Sequence, residues 1–155
     1  EYFVREAGIT VKEAKVEFIK QMYGGVFEKY THIEFFKRLQ IYVDTIWNEF
    51  QTKGSFTCPE SGTIFYKDKL EEMTPGKLLS YIIQNLETSH NVNMMWDMVK
   101  ILRGKETQLV LYVYDSFLFD VKEGEEDIMK EIETIFMKNN LRFKTNKGMN
   151  YEFTK

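Results

Sequence analysis

Between Thr74 and Gly104 the chain carries one long helical stretch, and this constrains the fold more than any other feature. Thr74-Pro75 places an N-cap residue before a proline at the first helical position. After Gly76 neither glycine nor proline occurs until Gly104, which reads as the C-terminal stop. A helix to about Arg103 would be about 43 Å long at 1.5 Å per residue. Leu78, Leu79, Ile82, Ile83, Leu86, Met94, Met95, Met98 and Val99 make most of it apolar, with the methionines as core filler. Ser80, Tyr81, Gln84, Glu87 and Thr88 form a polar strip on this rod, where the Gln84 amide can both donate to and accept from base edges. Taken alone, a polar helix residue facing solvent is the better reading of that strip.

The remaining segments arrange themselves around it. Thr10-x-x-Glu13 is a capping-box pattern opening a helix through about Met22, broken by Tyr23-Gly24-Gly25. Thr31-x-x-Glu34 repeats the pattern before a longer helix, whose expected apolar stripe is Phe35, Leu39, Tyr42, Val43, Ile46 and Phe50, with Gly54 ending it. Ser55–Cys58 and Thr63–Tyr66 read as a hairpin turning through Pro59-Glu60-Ser61-Gly62. A second hairpin is expected at Gln108–Tyr114 and Phe117–Val121, turning at Asp115-Ser116. A helix over Glu125–Lys138 and closing strands at Leu141–Thr145 and Tyr151–Thr154 follow. Helices first, then a mostly antiparallel sheet crossed by helices, give the class α+β.

Composition narrows the chemistry. A chain of 155 residues, 43% hydrophobic and 15% aromatic, can bury a core. The single cysteine, Cys58, excludes an internal disulfide framework and suits a reducing, cytoplasmic setting. His32 and His90 stand far apart without cysteine company, against a zinc site. The opening residues lack a signal-peptide core and no apolar run approaches a membrane span. A net charge of −3 is unlike that of a free-standing nucleic-acid binder. The first residue is glutamate, from which a piece of a longer protein is expected.

Two features carry possible chemistry. Lys12, Lys15, Ile19 and Tyr23 follow steps of three and four and so share a helix face. That face offers two ammonium groups to an anion such as a triphosphate, with Tyr23 and the following glycines closing the far end beside a base or sugar. Taken alone, a solvated lysine face is the better reading. In "LVLYVYDSFLFDV", Asp115 stands at the centre of a largely apolar run. A turn aspartate bonded to its own backbone would account for it. So would a carboxylate held at a rigid hairpin tip to bind a hard cation such as magnesium, although a two-metal site needs a second carboxylate.

Jointly, "KVEFIKQMYGG" (Lys15–Gly25), "SYIIQNLET" and "YDSFLFDV" resemble the C-terminal part of family A DNA polymerases, the DNA polymerase I type, particularly their phage branch. The family has a fingers-helix lysine, seven residues, then Tyr-Gly; a glutamine on a palm helix; and a hairpin reading His-Asp-Glu with a later acid, here matched by Asp120. "NKGMNYE" resembles the family's C-terminal end. Order and spacing match over nearly the whole chain. The resemblance implies fingers-like helices over residues 1–54, a hairpin and loop over 55–72, and the C-terminal half of a palm over 73–155. It implies that Lys15, helped by Lys12, holds the triphosphate, with Ile19 and Tyr23 at the nucleotide. Gln84, Tyr114 and Gly24 would meet primer–template DNA, and Asp115 would be one of two aspartates binding Mg2+. Partners would be DNA, a dNTP and the rest of the polymerase chain, including a palm strand and thumb, with no membrane; the piece alone would be inactive.

The chain departs from the pattern in places. Val11 replaces an arginine and Ile19 an aromatic residue, while Tyr114 and Ser116 replace the histidine and glutamate. The Tyr114 hydroxyl can still bond a primer end; Ser116 cannot bind a metal as a carboxylate does. Ser116 also brings the chain nearer to single-subunit RNA polymerases, which often have His-Asp-Ser there but place a longer insertion between the two motifs. A non-catalytic remnant that binds nucleic acid or protein is the other alternative.

Overall fold

The computed structural model describes residues 2–148. Helices α1 (Tyr2–Ala7), α2 (Val11–Gly24) and α3 (Glu34–Lys53) precede an antiparallel pair, β1 (Ser55–Thr57) and β2 (Ile64–Tyr66). Then come α4 (Pro75–Ile101), the hairpin β3 (Gln108–Val113) and β4 (Ser116–Asp120), and α5 (Ile128–Lys138). Short 3₁₀ turns occupy Glu28–Tyr30 and Lys67–Lys69. The class is α+β with two separate two-stranded antiparallel sheets. The chain divides into two compact units, with the boundary between Glu87 and Thr88, inside α4. Among the described residues, no helix is long and apolar enough to cross a membrane.

The local signals that succeed are those whose partners lie within one turn. Thr10 caps α2: the Glu13 amide donates to the Thr10 hydroxyl at 3.3 Å, and the Thr10 amide donates back to the Glu13 carboxylate at 2.9 Å. The Thr10 hydroxyl, donating to the Glu13 carboxylate at 2.7 Å, and then the Thr10 amide hold that carboxyl below its usual range. The helix outlasts expectation, running through Tyr23 and Gly24, and stops at Gly25, whose φ of 95° only glycine adopts freely. Thr74 caps α4, accepting from the Lys77 amide at 3.2 Å. This helix spans 27 residues, about 40 Å.

Several expectations are corrected. No capping box forms at Thr31-x-x-Glu34: the Thr31 hydroxyl donates to the Glu28 carbonyl at 2.8 Å, and α3 starts behind Ile33 without a side-chain cap. Phe36 is buried on α3, while Phe35 and Tyr42 are largely exposed. The second hairpin turns at Tyr114-Asp115, because Val113 pairs with Ser116. Helix α5 begins at Ile128, three residues late, because the Glu125 carboxylate is engaged with the Glu106 and Thr107 amides. Leu141–Thr145 is not a strand. Among the described residues it has no strand partner and instead follows α5, with the Leu141 amide donating to the Phe136 carbonyl and the Thr145 hydroxyl to Glu133. The expected strand at Tyr151–Thr154 lies outside the described residues.

Each unit has its own core. In the first, Ile46 and Phe50 of α3 meet Phe56, Cys58, and Leu78 and Ile82 of α4. A second cluster joins Tyr30, Ile33 and Phe36 to Phe3 of α1. In the second unit, Met94 and Met98 of α4 pack with Ile128, Ile132 and Ile135 of α5, flanked by Phe117 and Phe119 of β4. Burying each such side chain contributes about 1.5–3 kcal/mol.

Candidate functional site

Helix α2 is held by a narrow face. Ala14 and Gln21 are buried, and the Gln21 amide nitrogen donates to the Glu17 carbonyl at 3.4 Å. The Glu17 carboxylate accepts from Lys29 at 2.9 Å, Lys20 at 3.1 Å and the Tyr30 hydroxyl at 3.2 Å. With its side chain only 17% exposed, Glu17 pins α2 to the following 3₁₀ turn, and the lysines, Lys29 first, bring its carboxyl down to about 2. The opposite face carries Lys12, Lys15, Ile19 and Tyr23, all exposed, as their spacing requires. Among the described residues neither Lys12 nor Lys15 is in an ion pair. Two unneutralised ammonium groups on one side of one helix can receive an anionic ligand.

Gly24 ends α2, and its backbone lies directly against Gly76 in the first turn of α4. Gln84 stands eight residues further along α4, about 12 Å up the axis. It is exposed on the expected polar strip with Tyr81, Glu87 and Thr88, and its amide nitrogen donates to the Ser80 hydroxyl at 3.0 Å. Its carbonyl oxygen accepts no hydrogen bond among the described residues.

The second unit carries the hairpin tip. Tyr114 has a φ of 55°, in the left-handed region, and its ring is 85% exposed. Asp115 is exposed beside it, accepting from the Ser116 hydroxyl at 3.2 Å. The flanking strands are less buried than their apolarity predicts. Val110, Leu111 and Val113 are largely exposed, whereas Tyr112 and Phe117 stack with ring centroids 5.0 Å apart. A register shift between Leu109 and Leu111 bends β3 at Val110. At the hairpin base, the buried Thr107 hydroxyl accepts from the Lys122 amide at 3.1 Å, and Glu125 accepts from the Thr107 amide at 2.8 Å.

As a magnesium ligand Asp115 fits in type and exposure, being an accessible carboxylate on a short, anchored turn. Among the described residues no three or more His, Cys, Asp or Glu side chains are grouped as a metal site.

Asn91, Gly76 and Glu17 escaped the sequence reading. Asn91 is buried on α4 and donates to the Tyr112 hydroxyl at 3.1 Å and the Tyr114 carbonyl at 3.3 Å. Its signal was available: Asn91, Met94 and Met98 are three and then four residues apart, so the asparagine shares the buried stripe.

No protein-family model matches the chain, and no curated protein matches it. Its fold is similar to a solved structure, the POL domain of Pol1 from M. smegmatis in complex with DNA primer-template and dNTP, with a TM-score of 0.54 and 20% sequence identity. The likeness covers 85% of this chain and 22% of that one.

Proposed function

We propose that these residues are the fingers helices and the second half of the palm of a template-directed DNA polymerase of family A, phage-like in its motifs. In this reading a primer 3′-oxygen attacks the α-phosphorus of a dNTP, losing its proton as pyrophosphate leaves. The single observation that carries the reading is the polymerase-like fold over 85% of the chain. The open Lys12–Lys15–Ile19–Tyr23 face supports it.

Lys15, a point charge on an exposed face, would neutralise triphosphate oxygens, with Lys12 adding to the field. Tyr23 and Gly24, at the end of α2, would border the base and template strand, and Ile19 would lie against the sugar. Gln84, exposed and with a carbonyl oxygen that accepts no hydrogen bond among the described residues, would meet minor-groove edges. Tyr114 would offer its hydroxyl to the primer end. Asp115 would supply one carboxylate to Mg2+, which when bound aligns attacking and leaving oxygens for in-line displacement. The second aspartate, the palm strand that bears it and the thumb would come from the rest of the polymerase, so residues 1–155 alone would not incorporate nucleotides.

Primer extension by the longer chain containing these residues tests the reading. Incorporation of dNTPs that is lost in Asp115→Ala supports it; exclusive use of rNTPs transfers the assignment to single-subunit RNA polymerases.

A further inference from the structure

The tip that presents Asp115 needs an anchor that its own residues do not supply. Tyr114 adopts a left-handed φ of 55° without being glycine, a sparsely populated conformation that its surroundings must hold. Its ring cannot brace it, being 85% exposed. What holds it among the described residues is Asn91, at 7% exposure, whose amide nitrogen donates one proton to the Tyr114 carbonyl at 3.3 Å and the other to the Tyr112 hydroxyl at 3.1 Å. The Tyr114 carbonyl belongs to the peptide plane that leads into Asp115. Fixing that oxygen fixes the plane, because the peptide unit is rigid, and with it the direction in which the Asp115 side chain leaves the turn. The anchor itself is stiff, since Asn91 sits one turn before Met94 on a helix whose next two turns are buried against α5.

We propose that Asn91 is a positioning residue for Asp115, setting the carboxylate's aim through the Tyr114 carbonyl; this rests on the polymerase reading above. Asn91→Leu keeps the side chain's size and removes both donors. Amide exchange at Val113 and Ser116, the pair that closes the tip, should then quicken about fivefold, the loss of roughly one net hydrogen bond. In the longer, intact chain kcat should fall about ten- to hundredfold, with KM for dNTP and affinity for primer–template within twofold. Asn91→Ser, too short to reach the Tyr114 carbonyl, serves the same comparison if Asn91→Leu does not fold. Unchanged exchange at the tip overturns the anchor. Quickened exchange with wild-type kcat, in an enzyme that Asp115→Ala inactivates, overturns the positioning role alone. Retained incorporation by Asp115→Ala overturns the polymerase reading instead.

Discussion

Gly76, in the first turn of α4, lies so close to Gly24 at the end of α2 that a Cβ on it would fall 2.8 Å from the Gly24 carbonyl carbon and 2.9 Å from its oxygen. Glycine within a helix ordinarily costs roughly 0.5–1 kcal/mol against alanine. Here the sign reverses, because the obstacle is backbone that cannot rotate away. Gly76→Ala is expected to destabilise the protein by about 1–3 kcal/mol, the usual penalty of overpacking. Thermal unfolding checks this, and a raised Tm would mean that the two helix ends separate freely.

Glu17 predicts an acid dependence. Its carboxyl is held at about 2, against an ordinary 4.5, by Lys29 first and Lys20 next. A depressed carboxyl stabilises the fold fully above its unfolded value and loses that contribution as pH falls from about 4.5 towards 2. Glu17→Gln should therefore be less stable than wild type at neutral pH, with the gap closing through that window. Urea midpoints measured from pH 7 to pH 2.5 test the trend, and a constant gap would assign the loss to packing rather than charge.

At the base of the hairpin, Thr107 is 2% exposed and its hydroxyl accepts from the Lys122 amide. Thr107→Val keeps the shape and leaves that amide without its partner. Losing such a hydrogen bond costs about 0.5–1.5 kcal/mol, so chemical denaturation should register a loss of that size. No change would mean that water reaches the Lys122 amide.

What was legible in the sequence follows from range. The Thr10 and Thr74 caps were readable because each partner lies three residues away. Thr31 carries the same signal, yet the Glu28 carbonyl claims its hydroxyl, a competition that spacing does not reveal. Adjacent Phe35 and Phe36 both satisfy a helical period, and it is tertiary packing against Phe3, Tyr30 and Ile33 that takes Phe36 inside. The hairpin was legible from its alternation, but its turn was shifted by one residue because a tyrosine at positive φ has no local signature. The face of Lys12, Lys15, Ile19 and Tyr23 needed only geometry. Asn91 and Gly76 matter through contacts some twenty or more residues away in sequence, which no local pattern announces.

The two halves of the proposed chemistry should separate kinetically. Lys15 is exposed and in no ion pair among the described residues, so Lys15→Ala removes charge without unsettling α2. Losing one charged hydrogen bond, about 1.5–3 kcal/mol, should raise KM for dNTP roughly ten- to hundredfold and leave primer–template affinity nearly unchanged. Asp115 stands at an exposed tip, where substitution should shift stability by only about 0.5 kcal/mol. Asp115→Ala should nevertheless lower kcat at least about a thousandfold, the scale expected when a metal-aligning carboxylate is lost. Steady-state kinetics beside DNA-binding titrations distinguish these effects. A Lys15→Ala variant weakened mainly towards DNA would make α2 a phosphate-backbone contact, and near-normal turnover by Asp115→Ala would return the aspartate to the role of turn former.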